Sequence, residues 1–223
     1  IMNEIINDVR DYKIGEIQFE DDTLTLHKPN LDSLCDELEK LALPWCTPNG
    51  TKVNYNLKKQ TEMYKKMANS GCYQITLACE SGVQRVLDEV VRKRLPTKTI
   101  YPSIDKAKKA GMLCHTFWML GYPGETYEEM QATVDFALNS GADSFSFSIV
   151  KPLPGTPIYR QVIKEKLWWD DKEFEDRNFH ASMFKVDGFN GPEEVEKFVK
   201  EVNFKANLLL KEKNPERFKF KYG

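Results

Sequence analysis

The sequence is short of several things that would assign a class at once. It has five cysteines, Cys35, Cys46, Cys72, Cys79 and Cys114, with irregular gaps and no C-x-x-C pair. An odd, unpatterned set argues against a disulfide framework and makes a reduced, cytoplasmic chain the expectation. It also argues against a metal site built from these cysteines alone. Small side chains packed in strands and helices account for them. The three histidines, His27, His115 and His180, have no ligand-type spacing, and His115 reads as a satisfied core residue. Neither sign of charge dominates: 32 basic residues face 34 acidic ones, for a net charge of -2. Nothing global therefore points to nucleic acid or to a membrane surface as a partner. No apolar run approaches the ~20 residues of a membrane helix. Three signatures are missing as well: the phosphate loop G-x-x-x-x-G-K-[ST], the dinucleotide fingerprint G-x-G-x-x-G and the hydrolase elbow G-x-S-x-G.

What is present is ordinary for a globular protein: 223 residues, 41% hydrophobic and 30% charged. That length suits one large domain, or a domain with an extension. Residues 2–12 place Ile5, Ile6 and Val9 on one side at helical spacing. Residues 16–20 read as a short strand closed by Asp21-Asp22-Thr23. Adjacent carboxylates there are either solvated or bind something. Helices are expected at 30–43 (with Asn30 as cap), 57–69, 83–91, 97–110 and 125–139, and strands at 44–50, 73–79, 116–120 and 143–150. Units of roughly 30 residues in this alternation give a parallel sheet with outer helices, either a barrel or an open doubly wound sheet. After Tyr159 the pattern changes. Residues 170–187 read as irregular surface chain, and 192–213 as a long helix opened by Gly191-Pro192. The expected division is a sheet domain over 1–160 and a helical extension over 161–223.

One stretch, residues 113–126 (LCHTFWMLGYPGET), concentrates the signals. An apolar run stops at Gly121, a Gly/Pro turn follows, and Glu125 reads as a first-turn acid of the next helix. Strand C-terminal ends of a parallel unit share one rim, where ligands bind. That rim would collect Glu20, Asp21 and Asp22, then Thr47 and Asn49, then Glu80 and Ser81, then 121–125 and then Lys151 with its Pro-Gly-Thr loop; Arg92-Lys93-Arg94 lies nearby. Acids accept from ammonium and hydroxyl groups, and Arg or Lys pairs a carboxylate. The set suits a ligand with an ammonium, a carboxylate, ribose hydroxyls and a purine.

The motifs F-x-DD-T (19–23), GC-x-x-I-x-x-x-ESG (71–82), F-x-M-x-G-x-PGET (117–126) and P-x-PGT (152–156), in this order, resemble radical S-adenosylmethionine (SAM) enzymes. The resemblance covers residues 1–160 and is nearest to the group with an N-terminal cobalamin-binding domain. That group includes the anaerobic Mg-protoporphyrin IX monomethyl ester cyclase, Fe–S oxidoreductases and methyltransferases. It implies an α/β fold, a partial (β/α) TIM-like barrel holding SAM and a [4Fe–4S] cluster, here with a C-terminal helical extension. It implies reductive cleavage of SAM to a 5′-deoxyadenosyl radical, which attacks a small-molecule substrate. By position, Asp21, Asp22 and Glu20 would meet the SAM ammonium, and Glu80 and Ser81 the ribose or methionine part. One of Arg92, Lys93 and Arg94 would meet the carboxylate. Met119, Gly121 and Pro123 would pack on the adenine, with backbone allowed close by the Gly and Pro residues. The backbone at Val150 and Pro152 would read its edge. Asn49 stays a rim candidate.

One departure stands out. The family's C-x-x-x-C-x-x-C, which ligates three irons, is absent. The expectation is therefore a fragment whose partner is the N-terminal remainder of the same chain, with cobalamin possible there and no metal or catalytic residue assignable here. Two rivals remain: a non-catalytic degenerate barrel serving as a scaffold, and an ordinary barrel lyase or aldolase.

Overall fold

The computed structural model describes residues 2–21, 24–55, 57–172, 174 and 181–222. In chain order the elements are α1 (Met2–Tyr12), β1 (Ile17–Gln18), α2 (Lys28–Leu41), β2 (Trp45–Lys52), α3 (Gln60–Asn69), β3 (Cys72–Glu80), α4 (Ile100–Lys109), β4 (Leu113–Leu120), α5 (Tyr127–Leu138), β5 (Ser144–Ile149), α6 (Pro157–Lys164), α7 (Pro192–Lys213) and α8 (Pro215–Tyr222). A π-helical turn, Val86–Val90, and a 3-10 turn, Thr97–Thr99, sit between β3 and α4. The strands form one sheet in the order β1-β2-β3-β4-β5, and β1 with β2 and β2 with β3 pair in parallel. Strand order follows chain order without a reversal. A doubly wound sheet reverses at its switch point, so this order selects the barrel type of the two expected architectures.

Local chemistry moves several boundaries. Asn30 is not the cap of α2. His27 is, its Nδ1 accepting from the Asn30 N–H at 3.3 Å, with Pro29 in the first turn, where its fixed φ fits. Thr126 caps α5 with a reciprocal bond to Glu129, so that helix starts later than expected. Helix α6 was not expected at all. Its signal was the loop motif itself: the Thr156 hydroxyl accepts from the Tyr159 N–H at 3.2 Å, and Pro157 opens the helix.

The chain forms two compact units. The first comprises Ile1–Cys79, Lys98–Thr116 and Ser140–Asp143. Its core is Leu31, Cys35 and Leu38 of α2, Met63, Tyr64 and Met67 of α3, Ile100, Ile104 and Ala107 of α4, and Trp45, Ile75, Leu77 and Cys114 from the strands. The i, i+3/i+4 spacing of each helical set gives one apolar stripe per helix. A buried amide, Gln60, ties the helices to the end of β2: it donates to the Val53 carbonyl at 2.7 Å and accepts from the Ser103 hydroxyl at 3.1 Å. Helix α1 buries none of its described residues.

The second unit comprises Glu80–Thr97, Phe117–Asn139 and Ser144–Gly223. Here β5 ends the sheet, yet its outer edge is not bare. Asn203 of α7 offers its amide to one residue of that edge. The Phe147 N–H donates to Asn203 Oδ1 at 3.0 Å, and Asn203 Nδ2 donates to the Phe147 carbonyl at 2.8 Å. One side chain thus stands in for a sixth strand at that point. Within the stretch 170–187, the described residues 181–187 also differ from the expected irregular surface chain. Met183, Phe184 and Val186 are buried, Phe184 bridges Trp168 in antiparallel fashion, and the Lys185 N–H reaches the Leu167 carbonyl at 2.6 Å. The segment is too short for its alternation to register as a strand. Residues 173 and 175–180, His180 among them, lie outside the described set.

Candidate functional site

In the first unit, Asn49 Nδ2 donates to the Glu20 carbonyl at 2.6 Å, which ties the end of β2 to the chain leaving β1. Asp21, Leu24, Leu26, His27 and Asn30 border an open cavity of about 460 Å³. Asp22 lies outside the described residues.

The second unit carries the denser arrangement. β3 ends at Glu80, whose φ is 65°, a left-handed conformation that an L residue with a Cβ adopts at a cost of about 1–2 kcal/mol. Glu80 Oε1 accepts from the Lys93 ammonium at 2.9 Å, and both side chains keep about a quarter of their surface exposed (24% and 25%). The sequence leaves open which of Arg92, Lys93 and Arg94 serves the site; the geometry brings Lys93 to Glu80. The Val91 N–H closes the π turn on the Val86 carbonyl at 2.8 Å, and Arg92 follows at φ 57°. That widened turn and left-handed step swing Lys93 back toward the end of β3. Asp88, Glu89 and the three basic residues border a second open cavity, of about 520 Å³.

Ser81 sits in the turn that follows β3. It is fully buried, its hydroxyl lies 2.9 Å from Thr133 Oγ1, and it accepts from the Val83 N–H at 3.1 Å. These bonds lock the turn after β3. Gly82 is there for space. A Cβ on it would sit 2.6 Å from Phe136 Cβ. Gly82→Ala should destabilise the protein by about 1–3 kcal/mol through overpacking, measured by denaturant unfolding. Unchanged stability would show that α5 yields easily.

The turn after β4 is organised from inside. Glu125 is not a first-turn acid of α5, which begins at Tyr127. It is fully buried, and its Oε2 accepts from the N–H groups of Gly121 at 2.8 Å and Tyr122 at 3.0 Å. Its other oxygen has no partner; with Thr76 Oγ1 it makes up the buried, unpartnered side-chain polar atoms among the described residues. Burial pushes the Glu125 carboxyl up to about 7, against the pull of the two N–H bonds. The N–H groups of Gly121 and Tyr122 thus both donate to Glu125. Gly121, at φ 83°, is also closed in, since a Cβ there would meet Val186 at 3.2 Å. Pro123 is buried and Met119 half-buried. Arg85 fastens the turn from outside, pairing with Glu129 and donating to the Gly124 carbonyl at 2.9 Å. At the end of β5 the Val150 N–H is spent on the Leu120 carbonyl at 3.1 Å, Pro152 is buried, and the Lys151 ammonium bonds the Ala181 carbonyl. Burial lowers the Lys151 pKa, with Glu196 opposing.

Sequence reasoning missed two participants, Glu125 in its real role and Tyr122. The Tyr122 hydroxyl lies 3.4 Å from Glu80 Oε2. The one available signal was an acid inside an apolar Gly/Pro turn, where unpaired backbone N–H groups need an acceptor.

Comparison with known proteins agrees with this architecture. Residues 1–137 match the radical SAM superfamily. The cytidylyl-2-hydroxyethylphosphonate methyltransferase of Streptomyces wedmorensis is 31% identical over 209 residues, 91% of this chain and 39% of that protein. The anaerobic magnesium-protoporphyrin IX monomethyl ester cyclase of Cereibacter sphaeroides is 24% identical over 164 residues, 73% of this chain and 26% of that protein. Among solved structures, the radical SAM methyltransferase TsrM of Kitasatospora setae, with cobalamin and a [4Fe–4S] cluster bound, is similar in fold. It superposes with a TM-score of 0.62 at 16% identity, over 74% of this chain and 32% of that one. The chain thus spans 26–39% of the length of these proteins. Its sheet is a partial (β/α) barrel with flanking helices, and the chain belongs to the radical SAM superfamily.

Proposed function

We propose that this chain is the SAM-holding part of a longer radical SAM enzyme acting on a small molecule in the cytoplasm. Methyl transfer is favoured over oxidative cyclisation, because the relative that aligns with 91% of the chain is a methyltransferase. The observation that carries the reading is the Glu80–Lys93 pair, an acceptor and a donor held side by side at the end of β3. Together they complement a zwitterionic, ribose-bearing ligand: Lys93 for its carboxylate, Glu80 for its hydroxyl or ammonium donors. When bound, SAM supplies a methyl group or a 5′-deoxyadenosyl radical. The chain's own residues bind and orient it, and Met119 offers the adenine an apolar face.

The residues present do not fit the cluster. All five cysteines are buried, and burial pushes the thiols of Cys72 and Cys114 up, which disfavours the thiolate that iron needs. Among the described residues no three His, Cys, Asp or Glu side chains gather as a metal site. In the parent enzyme the cluster would rest on residues outside these 223. The division into 1–160 and 161–223, and a role for Glu20, Asp21 and Asn49 toward SAM, belong to the same proposal.

Two measurements test it. Calorimetric titration of the full-length protein with S-adenosylhomocysteine should show binding that weakens roughly tenfold or more in Lys93→Gln, the size expected for loss of a charge-assisted bond. No heat with the wild type would sink the reading. Anaerobic incubation of the 223-residue chain alone with iron and sulfide, followed by reduction with dithionite, should give no [4Fe–4S]+ signal by electron paramagnetic resonance, and a reduced cluster whose signal changes on adding SAM would overturn the assignment of its ligands.

A further inference from the structure

Glu80 is set in an uncommon way. Its backbone is left-handed, so its side chain does not leave the strand end in the usual direction, and two groups approach the carboxylate, one at each oxygen. Lys93 takes Oε1 at 2.9 Å, and the Tyr122 hydroxyl stands 3.4 Å from Oε2. Tyr122 is itself fixed. It is 5% exposed, and its N–H is held by Glu125, whose carboxylate is wholly buried. A chain of contacts therefore runs outward from the buried acid, through the backbone and ring of Tyr122, to the half-buried carboxylate.

We propose that Tyr122 is a positioning residue. Its hydroxyl aims the Glu80 carboxylate so that the free lone pairs of Glu80 accept from the paired ribose hydroxyls of a bound adenosyl ligand. The inference rests on the SAM reading above and adds the residue that orients Glu80. Physically, a carboxylate held at one oxygen only can rotate about its last torsion, which is broad. Held at both oxygens, it keeps one plane and presents two acceptor directions to a diol. Lys93 alone leaves that rotation open, and the phenol closes it. The ring packs in place regardless of the hydroxyl, so the orienting role separates cleanly from the packing role.

The test uses Tyr122→Phe in the full-length protein, which keeps the ring and removes the hydroxyl. Calorimetry compares S-adenosylhomocysteine with its analogue lacking both ribose hydroxyls, and a thermal melt checks the fold. The expected result is about fivefold weaker binding of S-adenosylhomocysteine, little change for the dideoxy analogue and an unchanged melting temperature. In Glu80→Gln/Tyr122→Phe the loss should not exceed that of Glu80→Gln alone, because the phenol acts through the carboxylate. Equal weakening for both ligands would overturn the proposal and make Tyr122 a packing residue. Unchanged binding of S-adenosylhomocysteine would overturn it too, while leaving the SAM reading standing. Failure of the wild type to bind either ligand would instead remove the SAM reading, and this inference with it.

Discussion

Glu125→Gln is expected to level the pH dependence of the melting temperature between pH 5 and pH 8. In the folded protein burial raises the Glu125 carboxyl from 4.5 to about 7. Between those values the folded state keeps a proton that the unfolded chain has released. The stabilisation is therefore complete below pH 4.5 and is lost as pH rises through about 7. The gap corresponds to about 3 kcal/mol, or about 6–12 °C in a protein of this size. The charges facing the group are Glu129, which pushes the same way, and Arg85, which pulls against it. Gln keeps an oxygen for the Gly121 and Tyr122 N–H groups but cannot ionise, so its profile should lack this slope. The quantity to measure is the wild-type minus variant difference in melting temperature, by scanning calorimetry at both pH values. A difference that stays constant would mean that Glu125 ionises as easily inside as outside.

Asn203→Leu is the second large effect. It removes both bonds to Phe147, a residue only 4% exposed, and leaves one N–H and one carbonyl without partners. Each buried unpaired group costs about 1–3 kcal/mol, so a loss of about 2–6 kcal/mol is expected, read from urea unfolding. The uncovered edge should also promote association, seen as concentration-dependent light scattering. A monodisperse variant of wild-type stability would show that other contacts of α7 close the edge unaided.

Much of the fold was legible because it is written in periodicities. The stripes of Leu31, Cys35 and Leu38, or of Ile100, Ile104 and Ala107, declare their helices, and the run into Gly121 declares β4. The order of the four motifs carries the resemblance to the family. What stayed hidden depends on contacts distant in sequence. The burial of Glu125 follows from a turn that folds back on itself, and apolar neighbours say nothing about which acid will be enclosed. The pairing of Lys93 with Glu80 follows from a π turn and a left-handed residue, neither of which has a reliable signature in a single sequence. Segment 181–187 reads as surface because its three apolar residues stand among polar ones, and only the Trp168 and Gly121 contacts show what they cover. His27 as a cap escaped because an imidazole acceptor is rare there beside Ser, Thr, Asp and Asn.

The left-handed backbone at Glu80 has a consequence for anyone who evolves this protein in the laboratory. A library screened for heat resistance alone would reward Glu80→Gly, because glycine tolerates φ 65° without strain. The winning clones would be the ones that had discarded the carboxylate between Lys93 and Tyr122. On the proposed SAM reading, selection for robustness and selection for ligand recognition pull in opposite directions at this position, and a screen that scores only the first would erase the second.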